Sequence, residues 1–203
     1  MARTLLLRHG QTTWNAERRW QGWADAPLSD VGREQARTAA GKLRGAGIDA
    51  VVASDLSRAR DTAEIVAREL GLGPVGVEAG VRERDVGAWS GRTSDEIEAR
   101  WPGQLAAWRE GTLAMIPEGE GDITDRVVAA VERILVSHPG GTVLTVTHGG
   151  VIRTVERAAG LDANPVRNLG GRWVSLGPDG ELVAGEAVLL FDPDAPAPTT
   201  TVL

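Results

Sequence analysis

The 203-residue chain contains no cysteine, no tyrosine and a single phenylalanine. Without cysteine it can form no disulfide, no thiolate nucleophile and no cysteine-ligated zinc or iron–sulfur centre, so several catalytic and redox classes are excluded. Histidine is also scarce, with three residues in the whole chain. Any imidazole chemistry must therefore use His9, His138 or His148.

Long apolar runs are missing as well. No stretch approaches the roughly 20 apolar residues that a membrane helix needs, and the run Leu5–Leu7 is too short for a signal-peptide core. We therefore expect a cytoplasmic protein with no membrane partner. The formal charge of −6 argues against nucleic acid as a partner, because nucleic-acid-binding surfaces are rich in positive charge. With 42% apolar and 25% charged residues, the composition predicts one globular domain over residues 1–203.

Strand-like and helix-like segments alternate along the chain. Short apolar runs predict strands at 4–7, 50–53, 74–77 and 142–146, and helical periodicity predicts helices at 30–43, 56–70, 123–136 and 151–159. Ser29 or Asp30 is expected to cap the first of these helices, whose apolar stripe begins at Val31, and Ser54 with Asp55 is expected to cap the second. This alternation predicts an α/β fold, a three-layer α/β/α sandwich with a mostly parallel central sheet.

Three further segments depart from that alternation. Residues 173–176 and 181–187 are joined by a turn rich in glycine and predict one antiparallel edge hairpin. The hairpin is free either to pair with a second subunit, which would make a homodimer, or to be covered by the tail. Short broken helices at about 92–120 predict a small helical lid, and the tail at about 192–203 is expected to be mobile.

Two of the three histidines occupy the same local setting. His9 and His148 each follow an apolar strand and precede a glycine, so both are expected at the same edge of the parallel sheet, where ligands bind in such folds. Gly10 and Gly149 are expected to bring backbone N–H groups close to an anion. Arg58 falls in the first turn of a helix, where its charge opposes the helix dipole unless both face a shared anion.

The residues around these positions resemble the histidine phosphatase superfamily, the phosphoglycerate mutase-like group. Five blocks carry the resemblance in order: RHGQTTWN at 8–15, QGWADAPLS at 21–29, SDLSRA at 54–59, RE at 82–83 with GAWSG at 87–91, and THGG at 147–150. They cover the chain from residue 3 to about 160. The resemblance implies a nucleophilic His9 that forms a phosphohistidine, with Glu83 donating a proton to the leaving group and then activating water.

The resemblance also implies how the phosphoryl group is held. The catalytic set would be His9, Glu83, Arg8, Arg58 and His148, and the substrate-binding set Asn15, Gln21, Gly22 and the Gly149 N–H. Two guanidinium groups and an imidazolium at His148 would stabilise the charge on the phosphoryl oxygens, so no metal and no cofactor are expected.

Each assignment has a structural alternative. Arg58 could instead form an ion pair with Asp55 or Glu64, and Glu83 could be a surface carboxylate. His138 has the position of a residue at a helix C-terminus. In the lid, Trp101, Trp108, Arg109 and Met115 either line a leaving-group pocket or pack the lid onto the core.

The short lid and the absence of an adjacent arginine pair after Glu83 favour a phosphatase acting on a small phosphorylated metabolite, such as a sugar phosphate or a phosphoglycerate-type compound. The alternatives are a cofactor-dependent phosphoglycerate mutase, a phosphoprotein phosphatase and a noncatalytic phosphate-binding regulatory member. The noncatalytic member would be expected to have lost His9 or Glu83, and both are present.

Overall fold

The computed structural model describes residues 1–112 and 117–192. Its strands are β1 (Arg3–Arg8), β2 (Ala50–Ala53), β3 (Gly76–Val77), β4 (Thr142–Thr147), β5 (Gly170–Leu176) and β6 (Leu182–Leu189). Its α-helices are α1 (Thr13–Ala16), α2 (Asp30–Leu43), α3 (Ser57–Leu70), α4 (Ser94–Arg100), α5 (Gln104–Arg109), α6 (Glu120–Ser137) and α7 (Gly149–Ala158). Short 3-10 helices lie at Ala79–Val81 and Gly87–Trp89.

The described strands form one mixed sheet in the order β3-β2-β4-β1-β5-β6. Strands β1, β2, β3 and β4 run parallel, and β5 and β6 are antiparallel to their neighbours. In the register of β1 and β4, Arg8 is opposite Thr147. His9 and His148 therefore leave neighbouring strands at the same edge. The predicted α/β sandwich with an antiparallel edge hairpin is confirmed.

Alternating side chains of the central strands supply a core on each face of the sheet. Leu5 and Leu7 of β1 pack with α2 and α3, whereas Leu6 packs with α6 and α7. All three leucines are fully buried, as expected for a parallel strand that is covered on both faces. The layers place α3 and α7, each of which begins at the functional edge, on opposite faces of the sheet.

Two local predictions about the helices are wrong. Val31 does not belong to the buried stripe of α2, since 53% of it is exposed. Helix α3 begins after Leu56 without a side-chain cap, because the two expected caps have other partners. Ser54 bonds the ring of His148, and Asp55 forms an ion pair with Arg82. The cap of α2 is Ser29, whose hydroxyl accepts from the Gly32 N–H at 3.0 Å.

The predicted lid contains α4 and α5, which contribute Ile97 and Leu105 to a separate small core with Val86 and Trp89. Its residues 113–116, which include Met115, and the tail from 193 onward lie outside the described residues. Over the described part of the chain, no helix combines the length and the apolar character required to cross a bilayer.

Candidate active site

A cavity of about 400 Å³ opens at the edge of the sheet where β1, β2 and β4 end. Seven of the nine predicted catalytic and binding residues line its inner part: Arg8, His9, Asn15, Gln21, Gly22, Arg58 and Glu83. His148 and Gly149 do not line it, although both lie directly behind it. The structure thus brings together residues that are up to 75 positions apart in the chain.

His9 is buried and held in one tautomer. Its Nδ1 lies 2.7 Å from the carbonyl oxygen of Gly10, and a carbonyl can only accept, so Nδ1 carries the proton and Nε2 keeps its lone pair. Burial, followed by the charges of Arg58 and Arg8, lowers the pKa of His9 well below its usual value near 6.5. The ring is therefore neutral at physiological pH, which is the form that can act as a nucleophile.

Arg58 is a fully buried arginine, and no acid in the described part of the chain forms an ion pair with it. Its two terminal nitrogens donate to the carbonyl oxygens of Ala24 at 2.8 Å and Gly22 at 2.7 Å, and its Nε has no partner among the described residues. Burial lowers its pKa to about 10, so it remains charged at pH 7. The alternatives in which Arg58 pairs with Asp55 or Glu64 are wrong, since these acids contact Arg82 and Arg60.

The loop before β5 holds Arg8 and His9 in place through three hydrogen bonds. Nη1 of Arg8 donates to the Val166 carbonyl at 2.6 Å, and the amide of Asn168 donates to the His9 carbonyl at 2.8 Å. The N–H of Leu169 donates to the Arg8 carbonyl at 3.1 Å. Leu169 itself has a φ of 55°, a strained conformation for a branched side chain. Sequence reasoning missed this loop because its contacts span about 160 residues.

His148 lies beside His9, with ring centroids 5.3 Å apart. Its Nε2 is 2.9 Å from the hydroxyl of Ser54, and its Nδ1 has no partner among the described residues. Burial, followed by the nearby charge of Arg58, lowers the pKa of His148 well below its usual value. This direction favours a neutral His148 while no anion is bound, and an imidazolium at His148 stays a prediction for the phosphate-bound site.

Glu83 lies at the cavity wall with both carboxylate oxygens engaged. Oε2 accepts from the Gly150 N–H at 3.1 Å, and Oε1 accepts from the Arg84 N–H at 2.9 Å. Its backbone carbonyl accepts from the indole of Trp23 at 2.7 Å. These bonds fix the carboxyl between the start of α7 and the loop that carries it. The structure therefore places Glu83 in the cavity wall, and the surface-carboxylate alternative is wrong.

The four predicted binding residues differ in whether they line the cavity and in whether their backbone position requires glycine. Asn15 and Gln21 line the cavity, and the Oε1 of Gln21 is buried without a partner in the described chain. Gly22 has a φ of 51°, and a methyl group there would lie 2.7 Å from Val86. Gly149 adjoins Arg8 without needing to be glycine, since a methyl group would be 3.6 Å from the Arg8 side chain.

Gly10 was expected to offer its N–H group to an anion, but the structure gives this glycine a different role. A methyl group on Gly10 would lie 2.5 Å from the carbonyl oxygen of Gly32 in α2. Its N–H already donates to the Thr62 hydroxyl at 3.0 Å. The glycine is thus required by the close approach of α2, and its N–H group is occupied within the protein.

The outer part of the cavity is formed by aromatic and basic side chains. Trp20, Trp89 and Trp108 make edge-to-face contacts with centroids 5.0 to 6.4 Å apart. Of the four lid residues considered from the sequence, Trp108 and Arg109 line the cavity, whereas Trp101 stacks with Arg92 and Arg100 outside it. Helix α5 therefore both packs on the protein and contributes to the pocket.

Residues 4–176 match the family model of the histidine phosphatase superfamily (branch 1). The chain belongs to the histidine phosphatase superfamily. A solved structure with a similar fold is a mycobacterial glucosyl-3-phosphoglycerate phosphatase in complex with VO3, at 33% identity and a TM-score of 0.80, covering 91% of this chain and 97% of that one.

Curated relatives of this superfamily member carry names of two kinds. A bifunctional protein of Mycobacterium tuberculosis is 44% identical over 164 residues, which are 79% of this chain and 44% of that protein. The Yersinia pestis protein named "Probable phosphoglycerate mutase GpmB" is 37% identical over 182 residues, which are 87% of this chain and 83% of that protein. The chain thus spans less than half the length of the mycobacterial relative.

Proposed function

We propose that this superfamily member is a metal-independent phosphatase that hydrolyses a small-molecule phosphomonoester, a sugar phosphate or a phosphoglycerate-type compound, through a phosphohistidine on His9. One observation carries the proposal: the Nδ1–H of His9 donates to the Gly10 carbonyl, no described residue bonds its Nε2, and His9 lines a cavity together with Arg8 and Arg58. A neutral nucleophile between two guanidinium groups suits attack on a phosphate dianion.

The reaction would proceed in two displacements. Nε2 of His9 attacks phosphorus, the P–O bond to the leaving group breaks, and Glu83 gives its proton to the departing oxygen. Water then attacks the phosphohistidine while the Glu83 carboxylate takes a proton from it, which regenerates neutral His9 and releases inorganic phosphate. Arg8 and Arg58 would bind the phosphoryl oxygens in both steps, as charge-assisted donors.

A buried polar atom without a partner supports a bound anion at this place. The Nε–H of Arg58, a residue that lines the cavity, is a buried donor with no acceptor in the described chain. Leaving such atoms unpaired costs about 1–3 kcal/mol each. A phosphoryl group would supply acceptors for buried donors of this kind.

The similarities support hydrolysis more than isomerisation. The glucosyl-3-phosphoglycerate phosphatase matches almost the whole of this chain. No adjacent arginine pair follows Glu83, and a mutase must bind a bisphosphate tightly enough to keep water from its phosphohistidine. The mutase name among the relatives keeps isomerisation of 3-phosphoglycerate as the second candidate function.

The test combines a nucleophile variant with a matched histidine control. His9→Ala is expected to abolish release of phosphate from an aryl phosphate and to abolish acid-labile phosphate labelling of the protein. His138→Gln should change neither, since His138 ends α6 outside the cavity, with Nδ1 2.8 Å from the Ile134 carbonyl. Turnover retained by His9→Ala would refute the assignment. Formation of 2-phosphoglycerate without phosphate release would favour the mutase.

A further inference from the structure

The cavity carries more positive charge than one phosphoryl group requires. Its lining contains seven arginines and two glutamates: Arg8, Arg19, Arg58, Arg84, Arg109, Arg153, Arg157, Glu83 and Glu120. A phosphate dianion at Arg8 and Arg58 would offset two of these charges. The excess is local, since the chain as a whole has a formal charge of −6.

Most of the outer arginines already have acidic partners. Glu120 forms ion pairs with both Arg84 and Arg157, and Arg19 pairs with Glu17 and Glu96. The two glutamates offset the charge of Arg19, and the single charge of Glu120 is shared by Arg84 and Arg157, so all three guanidinium groups are already engaged before any ligand arrives.

Arg153 and Arg109 differ from them. In the described part of the chain, neither has a carboxylate within ion-pair distance, and the recorded bond of Arg153 runs from Nε to the Gly149 carbonyl one turn earlier, at 3.3 Å. Arg153 is partly buried in the wall of the cavity, and Arg109 is exposed at the end of α5.

The position of Arg153 also has an electrostatic cost. Arg157 lies four residues further along α7, where like charges on a helix repel. Burial lowers the pKa of Arg8, Glu83 opposes that change, and the positive charge of Arg153 lowers the pKa further. Arg153 is thus close enough for its charge to act on the phosphoryl site.

We propose that Arg153, together with Arg109, binds a second anionic group, a carboxylate or a second phosphate, carried by the leaving group of the substrate. This inference rests on the proposed phosphatase function and narrows its substrates to phosphomonoesters with a further negative charge. Arginine suits this role because its planar donors match both carboxylate and phosphate oxygens. Arg153 is fixed on α7, which begins directly after His148, so it would hold the leaving group in a constant relation to the phosphoryl site.

Two pairs of substrates separate the sources of the second charge. 3-Phosphoglycerate and glycerol 3-phosphate differ by a carboxylate in place of a hydroxymethyl group, and glucose 1,6-bisphosphate and glucose 6-phosphate differ by a second phosphate. In at least one pair, the member with the second anionic group is expected to have the higher kcat/KM. The pair that shows this preference identifies the second group as a carboxylate or a phosphate.

Arg153→Gln should lower kcat/KM for the preferred substrate with two anionic groups by about 10- to 100-fold, the effect of one charge-assisted hydrogen bond. For its partner with one phosphate as the only anionic group, the change should stay below about threefold. Arg153→Lys keeps the charge but loses the planar pair of donors, so its kcat/KM for the preferred substrate should lie between the values for the unmodified protein and Arg153→Gln. Arg37→Gln is the matched control, since Arg37 is an exposed arginine on α2 paired with Glu34 and outside the cavity.

Equal losses on both members of each pair, or no preference in the unmodified protein, would overturn the second-anion site. Hydrolysis of glycerol 3-phosphate through His9 would still stand in that case. If no phosphate is released at all, calorimetric binding of each pair to the unmodified protein and to Arg153→Gln decides the question. The site would be refuted if the member with two anionic groups bound no more tightly than its partner, or if Arg153→Gln left its binding unchanged.

Discussion

The contact between α2 and the loop after His9 predicts an unusual pair of glycine effects. Gly32 and Gly41 both lie in α2, and neither has a positive φ. A methyl group on Gly32 would lie 2.0 Å from the Gln11 carbonyl oxygen, whereas one on Gly41 would meet nothing within 4 Å. The same substitution, glycine to alanine, should therefore have opposite consequences at two places in one helix.

The expected magnitudes follow from the geometry. Alanine gains about 1 kcal/mol over glycine inside a helix. At Gly32 the two backbones must separate by about 1 Å before the contact becomes tolerable, which costs about 1–3 kcal/mol. The shift also weakens the bond from Ser29 N–H to the Gln11 carbonyl, 2.9 Å long and worth about 1 kcal/mol. We expect Gly32→Ala to destabilise the fold by about 2 kcal/mol and Gly41→Ala to stabilise it by up to about 1 kcal/mol.

Thermal unfolding measures both effects, since about 1 kcal/mol shifts Tm by roughly 2–4 °C in a domain of this size. Gly32→Ala should also lower kcat by about 10- to 100-fold, because Gln11 is two residues from His9 and a displacement near 1 Å misplaces the nucleophile. Gly41→Ala should leave kcat unchanged. Equal Tm shifts for the two variants, or full activity in Gly32→Ala, would refute the argument.

Three other changes test the site. Glu83→Gln should lower turnover of an alkyl phosphate by about 10²-fold or more and that of an aryl phosphate far less, and equal losses would exclude proton donation. Because His9 and His148 have lowered pKa values in the folded state, the unfolded chain binds more protons below about pH 6.5. The free energy of unfolding should therefore be fully retained above pH 6.5 and fall as pH drops below it. His148→Asn should make this fall with pH less steep, when the free energy of unfolding is measured by urea titration at each pH. Asn168→Ala removes the bond to the His9 carbonyl and should lower kcat with little change in KM. An unchanged kcat would show that the loop does not position His9.

The fold was largely predictable because its signals are local. The apolar run before His9 and that before His148 each mark a parallel strand, and a parallel sheet brings strand ends to one edge regardless of what lies between. The five motif blocks then identified most of the residues that line the inner cavity. The local sequence pattern was sufficient to predict the structure wherever a segment's conformation depends on its own residues.

The errors arose where distant residues compete for a side chain. Ser54 has the sequence of a helix cap, but the buried ring of His148 takes its hydroxyl. Arg58 has acidic neighbours in sequence, yet it bonds two carbonyls more than 30 residues away. Asn168 and Arg153 carried no recognisable pattern, since their roles depend on contacts with the loop and helix that begin at His9 and His148. Such partners are set by the assembled sheet.

The central position of β1 has a consequence for synthesis of the protein. This strand is made before both of its neighbours, since β4 and β5 lie beyond residue 141. At about 5–20 residues per second, a ribosome needs roughly 7 to 26 s to add the 130 or so intervening residues. During that interval Leu5, Leu6 and Leu7 have no strand to pair with, so the nascent chain presents an unprotected aggregation-prone segment. The geometry that joins the two histidines thus leaves the first strand unpaired until more than 130 further residues have been made.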